Sequence, residues 1–151
     1  MHYDIAIIGY GPVGAAAASM FGKKGFNIVV VEPKKDIWDI PRAVHFDGQV
    51  QRVFQTMGIS SQVEEIVDTM TGITFLNHKG NEIVSLDMTN APRKNSYHED
   101  VMFDQPKFER ILRNEAEKNE NIDFKIGSYV SNLIPNESNN ILEIIDINTN
   151  Q

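Results

Sequence analysis

A glycine-rich segment near the N-terminus is the part of this sequence with the clearest chemical use. It follows the pattern G-x-G-x-x-G, directly after an apolar run and before a stretch rich in alanine. In a strand-turn-helix setting the first glycine permits a tight turn, the second leaves room for a pyrophosphate, and the third lets helix and strand pack closely. The helix N-terminus adds unpaired N–H groups and partial positive charge, which favour phosphate oxygens. The residues assigned to this phosphate-binding loop are Gly9, Gly11, Pro12, Val13 and Gly14.

Glu32 is the second candidate for cofactor binding. It ends an apolar run eighteen positions after Gly14, where a carboxylate can accept hydrogen bonds from both ribose hydroxyls of an adenosine. A carboxylate at this position also argues against a ribose 2′-phosphate. The two features together predict a dinucleotide site, but NAD and FAD share the same ADP half, so these residues do not separate the two cofactors.

The elements that must position these residues form a βαβ unit. Apolar runs at Tyr3–Ile8 and Asn27–Glu32 predict parallel strands, with the first of them central in the sheet. Small residues and boundary signals predict a helix at Pro12–Lys24 between these strands. A second helix is predicted at Gln105–Lys118, followed by a strand at Ile122–Ile126.

Elsewhere the chain departs from regular α/β alternation. Gly72–Asn77 and Glu82–Leu86 flank a polar turn and predict a β-hairpin, and Asp47–Met57 predicts a helix. Two further strands are predicted at Tyr129–Ile134 and Ile141–Ile147. The last strand is expected to lack a partner, which would leave its edge open to self-association.

Composition excludes several classes of function. The net charge is -7 and no basic run is present, so nucleic acid is a poor candidate partner. The absence of cysteine excludes thiolate chemistry and fits a reducing cytoplasm. No apolar stretch is long enough to predict a membrane span. The histidines lack metal-ligand spacing, so no metal site is predicted, and His45 and Trp38 are interpreted as structural or solvated loop residues.

Three segments resemble the class A flavoprotein aromatic hydroxylases, and within them the branch of the 3-(3-hydroxyphenyl)propionate hydroxylases. The segments are Tyr3–Gly14, Pro41–Asp47 and Phe103–Arg113. The resemblance extends over all 151 residues and favours FAD as the cofactor. It implies a single α/β, Rossmann-like FAD-binding domain over residues 1–151, with a β-hairpin and antiparallel strands. The domain is expected to be incomplete, because the family's later Asp-Gly and Gly-Asp motifs are missing.

The resemblance also implies roles for three residues outside the glycine loop. Arg42 would reach the FAD, and Gln105 would contact its ribityl and phosphate region, since a guanidinium suits a diphosphate and an amide suits hydroxyls. The backbone of Val130 would lie near the adenine. Without the resemblance, Arg42 would be interpreted as a solvated loop cation, Gln105 as a residue at the start of a helix, and Val130 as an ordinary strand valine. Pro33 replaces an arginine common in the family, which weakens one expected contact near the adenosine.

As a whole, the resemblance implies part of a monooxygenase that hydroxylates a small phenolic acid with NAD(P)H and O2. The 151 residues are expected to be inactive alone, and no catalytic residue can be assigned in them. Two alternatives stay open: an NAD-dependent oxidoreductase domain, favoured by the shared glycine pattern, and a non-enzymatic remnant that binds no cofactor.

Overall fold

The computed structural model describes residues 1–40, 42, 44–93, 96–98 and 100–149. Pro41 and Ala43, which belong to one of the segments that carry the resemblance, lie outside the described residues. The chain divides into two compact units, one comprising Met1–Asp39 with the chain from Phe108 onward, the other comprising Ile40–Lys107. The strands are β1 (Ile5–Ile8), β2 (Ile28–Glu32), β3 (His45–Asp47), β4 (Val67–Thr69), β5 (Gly72–Leu76), β6 (Glu82–Asp87), β7 (Asp100–Phe103), β8 (Ile122–Ile126), β9 (Ser128–Ile134) and β10 (Ile141–Asp146). The helices are α1 (Pro12–Gly22), α2 (Gly48–Met57), α3 (Ser60–Glu64) and α4 (Gln105–Ala116).

A parallel sheet with the strand order β1-β2-β8 forms the core of the first unit. Helix α1 connects β1 to β2, so the predicted βαβ unit is confirmed. The predicted central position of β1 is wrong, because among the described strands β2 lies between the other two. Burial agrees with this order: Ile28, Val29, Val30 and Val31 of β2 are at most 2% exposed, whereas burial alternates along β1.

An antiparallel ribbon of β9 and β10 follows the parallel sheet. Its register pairs Ile141 with Ile134 and Asp146 with Ser128. The expectation that the last strand lacks a partner is therefore wrong. The polar residues between the two strands let the chain reverse, so the partner of β10 precedes it in the sequence. Among the described strands β10 pairs with β9 alone, which leaves its other edge without a strand.

The second unit contains the predicted hairpin of β5 and β6 and the predicted helix α2. Asp47 caps α2, since its side chain accepts hydrogen bonds from the backbone of Gln49 and Val50, and Gly58 ends the helix in the left-handed region. A sheet with the order β3-β7-β4, which the sequence analysis did not predict, completes this unit. The predicted α/β class, with a parallel sheet and additional antiparallel strands, is confirmed.

Glu115 of α4 connects this helix to the end of α1. Its carboxylate lies 2.6 Å from the ammonium groups of Lys23 and Lys118. Burial raises the pKa of the Glu115 carboxyl, but the hydrogen bonds from the two lysines lower it, and its pKa lies below the usual value. A depressed folded-state pKa stabilises the fold at pH values above the unfolded-state pKa of about 4.3. This contribution is lost as the pH falls through the folded-state value.

We therefore expect Glu115→Gln to lower the free energy of unfolding at pH 7 by about 1 kcal/mol, a modest value because both lysines are substantially exposed. The difference between variant and parent should shrink as the pH falls below about 4.3, where the carboxyl of the unfolded chain becomes protonated, and should be lost below the lowered folded-state pKa. Urea unfolding of both proteins from pH 7 to pH 3 measures the effect. A difference that stays constant over this range would contradict the electrostatic role.

Candidate functional site

The glycine loop connects the end of β1 to the start of α1. Gly9 has a φ of 101°, and its N–H donates to the carbonyl oxygen of Val31 at 2.8 Å, which ties the loop to β2. Gly11 is the N-cap of α1 and Pro12 begins the helix. No side chain caps this helix and its first turn contains no acidic residue. The backbone N–H groups at the start of α1 therefore form a position where an anion is favoured.

The three glycines of the loop are required for different reasons. Gly9 has a backbone conformation that side chains rarely adopt. A Cβ on Gly14 would overlap the carbonyl oxygen of Gly9 and lie 3.3 Å from Cγ2 of Ile7, so close packing of α1 on the loop requires glycine there. Gly11 has neither constraint, because its φ of -76° is ordinary and a Cβ would meet no protein atom within 4 Å. The open space at Gly11 fits a pyrophosphate approaching the backbone.

Glu32 ends β2 beside this loop. Its Oε2 accepts a hydrogen bond from the backbone N–H of Tyr10 at 2.8 Å, and its Oε1 accepts one from the N–H of Lys34 at 2.9 Å. Each carboxylate oxygen can accept about two hydrogen bonds, so one position on each oxygen stays available. The two amides fix the plane of the carboxylate. This geometry suits the pair of hydroxyls of a ribose.

Tyr10 of the loop belongs to a buried cluster with Arg113 and Glu109 that the sequence did not predict. Tyr10 is 1% exposed, and its hydroxyl donates to the carbonyl oxygen of Arg113 at 3.2 Å. The Arg113 guanidinium lies 4.6 Å from the centre of the Tyr10 ring and donates to Glu109 at 2.7 Å. Burial raises the pKa of the Tyr10 hydroxyl, which therefore stays protonated. The i,i+4 spacing of Glu109 and Arg113 could have indicated an ion pair, but not its burial.

Val130 lies on β9, opposite Ile144 of β10, and is half-buried. The chain enters β9 through Gly127, whose N–H donates to the backbone carbonyl oxygen of Glu32 at 2.7 Å. The start of the β9–β10 ribbon is thus hydrogen-bonded to the backbone of Glu32, whose carboxylate is the candidate ligand of the ribose. The predicted contact of the Val130 backbone with adenine stays a prediction.

Arg42 and Gln105, both in the second unit, are brought together by the fold. The backbone N–H of Arg42 donates to Oε1 of Gln105 at 2.6 Å. Gln105 is 4% exposed, whereas Arg42 is exposed. The Gln105 amide therefore holds the backbone of the loop that carries the Arg42 guanidinium. Contacts of either residue with FAD stay predictions.

Other candidate chemistry is not supported by the structure. His45, interpreted from sequence as a structural or solvated loop residue, is exposed, but it lies in strand β3 opposite Met102, so its assignment to a loop is wrong. Among the described residues no group of three or more histidine, aspartate or glutamate side chains could hold a metal ion. None of the helices in the described part of the chain has both the length and the hydropathy that a membrane crossing requires.

The glycine loop, the uncapped start of α1 and the amide-fixed carboxylate of Glu32 define a dinucleotide-binding α/β domain. Comparison with known proteins identifies its family. Residues 2–145 match the family described as FAD binding domain, and the chain belongs to that family. FAD as the cofactor and the similarity to aromatic hydroxylases, both expected from the sequence, are confirmed.

Among curated relatives, the chain is 32% identical over 146 residues to a 3-(3-hydroxy-phenyl)propionate/3-hydroxycinnamic acid hydroxylase of Burkholderia vietnamiensis (strain G4 / LMG 22486). That match covers 95% of this chain and 23% of the relative. The chain is 29% identical over 109 residues to a probable NADH-specific resorcinol 4-hydroxylase of Rhodococcus jostii (strain RHA1), with 72% of this chain and 20% of the relative covered. The chain thus spans less than a quarter of the length of these two relatives.

Two solved structures share the fold. The flavin-dependent monooxygenase PieE, solved with FAD and substrate, superposes with a TM-score of 0.85 at 20% identity and covers 100% of this chain and 28% of that protein. The p-nitrophenol 4-monooxygenase PnpA of Pseudomonas putida DLL-E4 gives a TM-score of 0.82 at 18% identity, with 94% and 36% covered. At these identities the likeness establishes the fold alone.

Proposed function

We propose that this chain is the FAD-binding part of a flavoprotein monooxygenase that hydroxylates a small phenolic acid with NAD(P)H and O2. The observation that carries the proposal is that the backbone at Gly11 is open to a ligand beside the carboxylate of Glu32, which two backbone amides hold in place. The printed activities of the two curated relatives support the reaction class. A reducing cytoplasm is the proposed location, since the chain lacks cysteine.

When bound, FAD supplies electron transfer from the nicotinamide and the activation of oxygen. The residues of this chain bind and orient the cofactor. The N–H groups at the start of α1 would hold the diphosphate, and Glu32 would accept hydrogen bonds from the adenosine ribose. Arg42 would add a cation for the diphosphate, Gln105 would contact the ribityl and phosphate region, and the Val130 backbone would lie near adenine.

Titration with nucleotides tests the cofactor assignment. The purified chain should quench FAD fluorescence on binding, and its thermal stability should rise with the logarithm of the FAD concentration once that concentration exceeds the Kd. FMN, which lacks the adenosine that Glu32 would recognise, should bind much more weakly. Stabilisation by NAD without any by FAD would replace the proposal with an NAD-dependent domain, and no response to either nucleotide would favour a remnant without cofactor.

Replacement of Glu32 by alanine should weaken FAD binding by about 1 to 3 kcal/mol, the usual cost of losing a charged hydrogen-bond partner. Fluorescence titration of the parent and of Glu32→Ala measures this loss. Glu64→Ala serves as a matched control, because Glu64 is an exposed carboxylate on α3. If FMN competed as well as FAD against the parent, the role given to Glu32 would be wrong.

We further propose that the 151-residue polypeptide made alone does not hydroxylate phenolic acids and holds FAD weakly. The chain spans under a quarter of the two curated relatives' length, so most of what surrounds FAD and substrate in a full-length relative would be absent.

Self-association through the outer edge of β10 is part of this proposal, since an edge strand presents free N–H and C=O groups. Sedimentation should show a concentration-dependent mass. A monomer with stoichiometric FAD that consumes NADPH with a hydroxyphenylpropionate would contradict the proposal.

A further inference from the structure

We propose that Tyr10 is a positioning residue of the dinucleotide loop, and this inference rests on the proposed binding of FAD. In the G-x-G-x-x-G pattern Tyr10 occupies a position for which the pattern specifies no residue type. Its side chain is nevertheless almost wholly buried, while its backbone N–H bonds to the candidate ribose acid. Tyr10 thus connects the core of the first unit to the glycine loop and to the carboxylate of Glu32.

The side chain of Tyr10 is held at several points. Its hydroxyl donates to the carbonyl oxygen of Arg113 at 3.2 Å, its ring lies over the Arg113 guanidinium at 4.6 Å, and the ring of Phe124 lies 5.1 Å away. A side chain with one hydrogen bond and two ring contacts has little rotational freedom. The backbone of Tyr10 is therefore fixed relative to α4 and β8.

Arg113 is itself fixed by an ion pair within α4. Its guanidinium donates to Oε1 of Glu109 at 2.7 Å, and the two side chains are 11% and 3% exposed. Breaking a buried pair of this kind leaves an uncompensated charge, so both side chains stay together. Tyr10 is consequently anchored on a residue of α4 whose side chain is held by a buried ion pair.

The neighbours of Tyr10 explain why the loop needs an anchor. Gly9 and Gly11 flank it, and glycine loses more conformational freedom on ordering than any other residue. If the loop were ordered only when FAD binds, that entropy would reduce the affinity. With Tyr10 buried, the loop is ordered by folding. The same backbone then places its N–H 2.8 Å from Oε2 of Glu32, so the ribose acid is oriented before any ligand arrives.

Tyr10→Phe tests the proposal, with Tyr3→Phe as the matched control. Both changes remove one hydroxyl that hydrogen-bonds within the first unit, but the Tyr3 hydroxyl donates to Asp123 at 2.6 Å and Tyr3 precedes β1, at the strand end opposite the loop. Because phenylalanine retains the ring, both variants should fold. We expect Tyr10→Phe to raise the Kd for FAD about fivefold, the effect of about one hydrogen bond, and Tyr3→Phe to leave it within about twofold.

Two further measurements separate positioning from a general loss of stability. Amide hydrogen exchange without FAD should be faster at residues 10 and 11 in Tyr10→Phe than in Tyr3→Phe. In a Glu32→Ala background the effect of Tyr10→Phe on FAD affinity should be smaller than in the parent, because part of it acts through the Tyr10 N–H and the Glu32 carboxylate. A purely structural role would give equal effects in both backgrounds.

The outcomes distinguish this inference from the function on which it rests. If the parent fails to bind FAD by either fluorescence or thermal stabilisation, the proposed function fails and the inference falls with it. If the parent binds FAD but Tyr10→Phe and Tyr3→Phe bind it equally well, the inference alone is overturned. A fivefold loss confined to Tyr10→Phe, with faster exchange in the loop, supports it.

Discussion

Gly11→Val is expected to weaken FAD binding by about 100-fold or more while leaving the fold intact. A valine side chain at Gly11 would occupy the open space beside the N-terminus of α1, where a pyrophosphate would approach the backbone. Each hydrogen bond to a charged group contributes about 1.5 to 3 kcal/mol, so losing two would already produce an effect of this size. Stability should change by only about 1 kcal/mol, because the backbone conformation at Gly11 is ordinary and a Cβ there contacts no protein atom within 4 Å, while valine is a poorer N-cap than glycine.

Fluorescence titration with FAD and thermal unfolding without it measure the two effects separately. Gly80→Val is a useful control, because Gly80 lies in the hairpin turn of the second unit and has a φ of 80°. That change should strain the turn and lower stability, yet leave the loop and Glu32 untouched. Unchanged FAD affinity in Gly11→Val would show that the diphosphate does not bind at this loop.

Sequence patterns were sufficient where a residue's role depends on its near neighbours. The βαβ unit follows from two β-branched runs separated by a helix with clear boundary signals, and β1, α1 and β2 lie within two residues of the predicted limits. Helix α2 followed from the spacing of its apolar residues, and the structure adds the Asp47 cap. These features depend on backbone propensity and local periodicity, which a single sequence contains.

Features that depend on distant residues could not be predicted in the same way. β3 and β4 are three residues long, too short for a period to be recognised, and they exist because both pair with β7. His45 pairs with Met102, and no local pattern connects positions so far apart. The same limit explains the error about β10: its apolar residues predict a strand, but they do not identify the partner strand.

The role of Tyr10 was hidden for a related reason. Between two glycines of a binding loop, an aromatic residue has no periodicity to assign it to the core. Its burial depends on Arg113, which lies on a helix about a hundred residues further along the chain, so only the folded structure brings the two together. The chemistry of the loop was therefore predictable, whereas the means by which the loop is held was not.

Gly14→Ala is expected to destabilise the first unit by about 3 kcal/mol, the upper part of the range for forcing an extra carbon into a packed region. The added Cβ would overlap the carbonyl oxygen of Gly9, and because the obstructing atom belongs to the backbone it cannot rotate away. Either α1 moves off β1 or the loop opens. The melting temperature should fall by roughly 10 °C, given about 2 to 4 °C per kcal/mol for a chain of this length.

The loss of stability in Gly14→Ala should be accompanied by a loss of FAD affinity, since the displaced atoms belong to the loop itself. Gly11→Ala provides the comparison: it adds the same methyl group three residues earlier, where no protein atom lies within 4 Å. That variant should melt within about 2 °C of the parent, because the lost backbone freedom of the unfolded chain and the poorer helix cap act in opposite directions. Equal melting temperatures for Gly14→Ala and Gly11→Ala would show that the loop tolerates a side chain at both positions. The assignment of separate roles to the two glycines would then be wrong.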